Sequence, residues 1–76
     1  MASLDQLQAG QRARIEAVGG SPALNQRLLE MGLIEGDAIE VVGFAPLGDP
    51  MEIRLRDYRL SLRRQEAACI TVRIDR

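Results

Sequence analysis

Turn-forming residues recur along this chain at intervals that leave room for short strands and one short helix, and for little else. They are Ala9-Gly10, Gly19-Gly20, Gly32, Glu35-Gly36, the segment Pro46 to Pro50, and Asp57. Glycine and proline are the strongest local breaks in a backbone, so each of these sites ends one element and starts another. From Gln11 to Val18, the residues Ala13, Ile15 and Ala17 alternate with Arg12, Arg14 and Glu16. That period of two predicts a strand with one buried and one solvated face. Asp37 to Gly43 reads as a second strand with Ile39 and Val41 on one face. Met51 to Arg56 (Met51, Ile53 and Leu55 inward) and Tyr58 to Leu62 (Tyr58, Leu60 and Leu62 inward) form a hairpin across a tight turn at Asp57. A last strand runs from about Cys69 to Ile74, with Ile70, Val72 and Ile74 on one face.

The period changes between Ser21 and Met31. Ser21 suits the N-cap, Pro22 suits the first helical position where its missing N–H would be unpaired anyway, and Leu24, Leu28 and Met31 recur at helical spacing. Gly32 supplies the left-handed residue that stops a helix, so the helix is expected to end at Met31 or Gly32. Arg63 to Ala68 is expected to make a single helical turn. The fold class that follows is mainly β: a small barrel of about five strands with one short α-helix and a helical turn before the last strand. Curling removes most of the exposed edge that a flat sheet of this size would carry. Both SH3-like and OB-like barrels satisfy this pattern. Residues 1–76 make one domain, without internal repeats or low-complexity tracts.

Composition bears on function mainly by what it lacks. The 76 residues include no histidine, no tryptophan and one cysteine, and their only aromatics are Phe44 and Tyr58. The commonest general acid/base and metal ligand is therefore missing, and a lone Cys69 allows neither a disulfide framework nor a thiolate zinc site. No catalytic set, metal site or cofactor is expected. A chain this short buries roughly 60% of its unfolded surface, which leaves little room for an enclosed active site beside a core. No basic flank leads into an apolar run at the start, and no apolar run approaches a membrane span, so a cytoplasmic protein without direct membrane insertion is expected.

Three constellations stand out as interaction candidates. In the loop Pro46-Leu47-Gly48-Asp49-Pro50, two prolines stiffen the backbone and leave Leu47 near the tip, either docked into the barrel or presented to a partner. Around the helix end, with Leu24, Leu28 and Met31 facing the barrel, Leu29 and Leu33 are pointed elsewhere and invite a partner surface. Outward positions of the hairpin, Arg54, Arg56, Arg59 and Arg63, line up as a possible basic stripe. The net charge of −1 conceals that stripe, because residues 1–50 balance at −4 and residues 51–76 at +3. Nucleic acid is the alternative partner, disfavoured because Tyr58 falls in the inward register and Glu52 and Asp57 interrupt the arginines. Open strand edges would also permit self-association.

Taken in order, Leu4-x-x-Leu7-x-x-Gly10, Arg27-Leu28-x-x-Met31-Gly32-Leu33-x-x-Gly36, Pro46-Leu47-Gly48-Asp49-Pro50, Leu60-x-Leu62-Arg63-Arg64-x-Glu66-Ala67 and Ile70-x-Val72 resemble the FeoA family of ferrous iron transport accessory proteins. The family is also similar to the SH3-like C-terminal domain of iron-dependent bacterial repressors. The resemblance implies an SH3-like barrel, not an enzyme, that works with FeoB, a membrane permease with a cytoplasmic GTPase domain. It implies protein contacts through the matching segments: Arg27, Leu29, Met31, Gly32 and Leu33 at the helix end, and Pro46 to Pro50 in the loop. Asp57 departs from the family pattern, which commonly has glycine at that turn. Without iron-holding side chains, the link to the metal is expected to be indirect.

Overall fold

The computed structural model describes residues 1–75. Strands β1 (Ala2–Ser3), β2 (Arg12–Val18), β3 (Ala38–Phe44), β4 (Met51–Leu55), β5 (Tyr58–Leu62) and β6 (Ile70–Ile74) are joined with helices α1 (Pro22–Glu30) and α2 (Arg64–Ala67), and a 3₁₀ turn spans Leu4–Gln6. The strands form one antiparallel sheet in the order β1-β6-β2-β3-β4-β5. Buried residues from β2, β3, β4, β5 and β6 belong to a single apolar cluster with Leu4, Leu7, Leu28, Leu33 and Ala67. One face of one sheet can line one core in this way only by curling around it.

Two bulges produce the curl. Between β2 and β6 the register steps over Glu16, since Ile15 opposes Val72 and Ala17 opposes Thr71. Between β3 and β4 it steps over Val42, since Val41 opposes Ile53 and Gly43 opposes Glu52. An extra residue bends a strand, raises its twist and switches the faces beyond it. Ala17 is therefore exposed, against the alternation expected from sequence, while Val18 packs on the core. The sheet also has six strands instead of five. The two-residue β1 pairs Ala2 and Ser3 with Val72 and Thr71, a match too short to leave a periodic signal.

α1 follows its caps. Ser21 Oγ accepts the Leu24 N–H at 3.2 Å, and Pro22 opens the helix. At the other end Gly32 takes φ 96°, its N–H donates to Leu29 O, and the Leu33 N–H donates to Leu28 O. These two bonds define a Schellman motif, whose apolar partners are the residue after the glycine and the residue five before it. Here those are Leu33 and Leu28, both fully buried. Leu33 is thus a core residue and does not face a partner.

Smaller departures have local causes. β4 ends at Leu55, so Arg56 lies in the two-residue hairpin turn with φ 52°. Tyr58 keeps the inward register but stands at the sheet's end, where its hydroxyl reaches over Gly32 to donate to Met31 O at 3.2 Å and its side is 37% exposed. Ile74 extends past the core and is 39% exposed. Cys69 sits in the turn before β6, half-buried, with its thiol toward Gln65 O.

Candidate functional site

The Pro46 to Pro50 loop joins β3 to β4 and is held by backbone bonds at its base. The Gly48 N–H donates to Ala45 O at 2.7 Å, and the Ala45 N–H donates to Pro50 O at 3.0 Å. Gly48 takes φ 86°, and the Asp49-Pro50 peptide is cis. The loop is also tied to α2, because Asp49 Oδ1 accepts the Arg64 N–H at 3.1 Å. Leu47, at the tip, is 97% exposed and finds no cover in the barrel. Among the described residues it is the most exposed of the large apolar side chains.

Beside the loop runs a groove of about 580 Å³, open to solvent, between the segment after the 3₁₀ turn and the base of the loop. Its lining includes Asp5, Gln8 and Ala9 from the 3₁₀ turn and the segment after it, and Phe44, Ala45 and Pro46 from the base of the loop, together with Arg64. The Arg64 guanidinium lies over the Phe44 ring at 5.3 Å and donates to Gly48 O at 3.4 Å and Asp5 O at 3.1 Å. Asp5, at one end, engages the Ser3 hydroxyl at 2.5 Å. Arg64 belongs to a segment that carries the family resemblance but not to the contact candidates read from sequence. Its contacts reach back 15, 16 and 59 positions, and no local pattern announces them.

The helix-end residues divide. Leu29 is 44% exposed and available, Met31 is half-buried against the core, and Leu33 is in it. Arg27 is engaged with Glu66: its guanidinium lies 3.3 Å from Oε2 of that carboxylate, whose Oε1 accepts the Arg63 N–H at 2.9 Å. Glu66 is only 6% exposed. A buried carboxylate needs such partners: Arg27 ties α1 to α2 through it, while the Arg63 N–H caps α2 itself.

The arginines of the hairpin are not a free basic stripe. Arg54 pairs with Glu40, Arg56 with Asp37 at 2.7 Å, and Arg59 with Glu52 at 3.8 Å. The Arg54 hydrogen bond holds the Glu40 carboxyl below its ordinary range, against the opposing effect of desolvation and with help from the charges of Arg54 and Arg12. Arg63 is exposed and makes no ion pair among the described residues. Three of four cations in the stripe are therefore spent on neighbours. The acids that neutralise two of them, Asp37 and Glu40, come from in and beside β3, which sequence reasoning had not set next to the hairpin.

Among the described residues, no three His, Cys, Asp or Glu side chains come together as a metal-binding group. No helix among them is long and apolar enough to cross a membrane.

Fold and site together define a small SH3-like barrel that offers a braced apolar loop and a groove. Residues 2–74 match the FeoA domain family, and the chain belongs to that family of ferrous iron transport accessory proteins. It is 45% identical over 71 residues to the Fe(2+) transport protein A/Fe(2+) transporter FeoB fusion protein of Porphyromonas gingivalis, covering 93% of this chain but 8% of that protein. The solution structure of FeoA from Chlorobium tepidum superposes with a TM-score of 0.86 at 44% identity, over 95% of this chain and 69% of the other. FeoA of Stenotrophomonas maltophilia, solved with zinc and described as a procaryotic SH3 domain protein, gives a TM-score of 0.81 at 28% identity, over 95% and 89%.

Proposed function

We propose that this chain is a cytoplasmic accessory protein, without catalytic activity of its own, that docks on the cytoplasmic part of a FeoB-type permease and modulates its assembly or activity. The observation that carries this reading is Leu47, almost fully exposed at the tip of a loop whose base is fixed by hydrogen bonds. A rigid loop loses little conformational freedom on binding, so its apolar tip contributes to affinity with small offset. The Porphyromonas gingivalis relative, in which the A protein and the FeoB transporter are one polypeptide, supports the choice of partner. Leu29, exposed on α1, is a candidate second contact.

Leu47→Asp tests this. The side chain touches no core residue, so the variant should fold as the wild type does by circular dichroism. Its affinity for the purified cytoplasmic domain of the cognate permease should drop at least about tenfold, the loss of a central apolar contact. Ile74→Asp, which removes another exposed apolar side chain at the far end of β6, should leave binding unchanged. Wild-type affinity in folded Leu47→Asp would remove the loop from the interface.

A further inference from the structure

We infer that the groove beside the loop receives an extended peptide segment of the partner protein, with an aliphatic side chain between the walls and a carboxylate on Arg64. The inference rests on the docking role of the Pro46 to Pro50 loop and specifies the kind of segment bound there. Its basis is how Arg64 is held. Arg27, Arg54, Arg56, Arg59 and Arg73 meet carboxylates, and among the described residues Arg12, Arg14 and Arg63 do not. The Arg64 guanidinium meets none either, yet it is fixed beside the groove over a ring face and by two backbone carbonyls, while its backbone N–H donates to the Asp49 carboxylate.

A guanidinium has five N–H donors in a rigid fork, and backbone carbonyls satisfy only part of that set without cancelling its charge. Fixed in advance, it loses little side-chain entropy when an anion arrives, and a charge-assisted bond to a carboxylate is roughly twice as strong as a neutral one. Asp5 accepts from the Ser3 hydroxyl and Asp49 from the Arg64 backbone N–H, and neither carboxylate pairs with the guanidinium. Apolar surface from Ala9, Ala45 and Pro46 lines the same groove. The groove is open to solvent, so a strand of peptide can enter it. Pairing an aliphatic residue with a nearby acid on that strand would match both the walls and the charge.

The test uses the isotope-labelled full chain and three blocked peptides in which glutamate follows leucine by one, two or three alanine-rich positions, each with glutamine and lysine counterparts. At least one glutamate peptide should shift the amides of Ala9, Ala45, Gly48 and Arg64, binding about fivefold or more tightly than its glutamine counterpart, a modest charge-assisted preference. Arg64→Met keeps the apolar stem over Phe44 and should abolish that preference. Gln8→Glu, which places a competing carboxylate in the groove without touching the loop, should weaken glutamate peptides as well. Flat titrations with every peptide, or equal affinity for glutamate and glutamine, would overturn the inference. So would equal shifts with inorganic phosphate, which would make Arg64 a small-anion site, or shifts of the same amides on concentrating the chain alone, which would seat a second copy there. Permease binding lost in Leu47→Asp but untouched in Arg64→Met would also reject the groove while leaving the loop's role intact.

Discussion

Leu33→Ala is expected to remove about 3 kcal/mol of folding stability, within the range for burying-to-cavity leucine changes, and to lower the thermal midpoint by roughly 12–24 °C. Leu33 is fully buried beside Leu28, and the surrounding strands cannot collapse onto the space its side chain leaves. A domain of this length has a total stability on the order of 4–11 kcal/mol, so the loss is a large part of the whole. Leu29→Ala, four positions away on the exposed side of the same helix end, should change stability by less than about 1 kcal/mol. Urea and thermal unfolding of the two variants decide the matter. A Leu33→Ala midpoint within a few degrees of wild type would return Leu33 to the surface and undo the description of the helix end.

Gly32→Ala should be nearly as damaging, for a different reason. At φ 96° an alanine is strained, and its Cβ would overlap the Tyr58 hydroxyl. The left-handed conformation costs about 1 kcal/mol for a non-glycine residue. Displacing the tyrosine adds the loss of its bond to Met31 O, about 1 kcal/mol, and some repacking. The expected total is roughly 2–3 kcal/mol. In a Tyr58→Phe background the clash with the hydroxyl disappears while the backbone strain stays, so the same substitution should fall to about 1 kcal/mol. Equal effects in both backgrounds would show that Tyr58 does not close over Gly32.

The elements that sequence reveals here are those written in local chemistry. Ser21 and Pro22 mark the start of α1, Gly32 marks its end, and the alternation of Met51, Ile53 and Leu55 marks β4. What escaped depends on partners distant in the chain or on single-residue shifts. The bulge at Glu16 leaves no trace in composition, so Ala17 and Val18 exchanged faces without warning. Leu33 is a case where the signal was present: apolar residues at positions 28 and 33 around a helix-ending glycine are the sequence form of a Schellman motif, and reading them so would have put Leu33 in the core.

The site was legible by halves. The Pro46 to Pro50 loop identified itself through its prolines, and the exposure of Leu47 rules out its docking into the barrel. The arginine stripe failed as a free surface because register across β3, β4 and β5 decides which acid meets which base. Arg54 and Arg59 are cross-strand partners, yet each is relieved by an acid from another position. Arg64, held by Asp5 from the beginning of the chain, becomes visible only when the barrel is closed.

Docking of the braced loop and its groove on the permease is the proposed function. Its most direct test is the amide footprint of the unlabelled cytoplasmic domain of the permease on the isotope-labelled chain. Shifted and broadened resonances should center on Ala45, Leu47, Gly48 and Arg64, with Leu29 next. A footprint confined to Arg54, Arg59 and Ser61 on the hairpin, or no footprint with an active permease domain in excess, would contradict it.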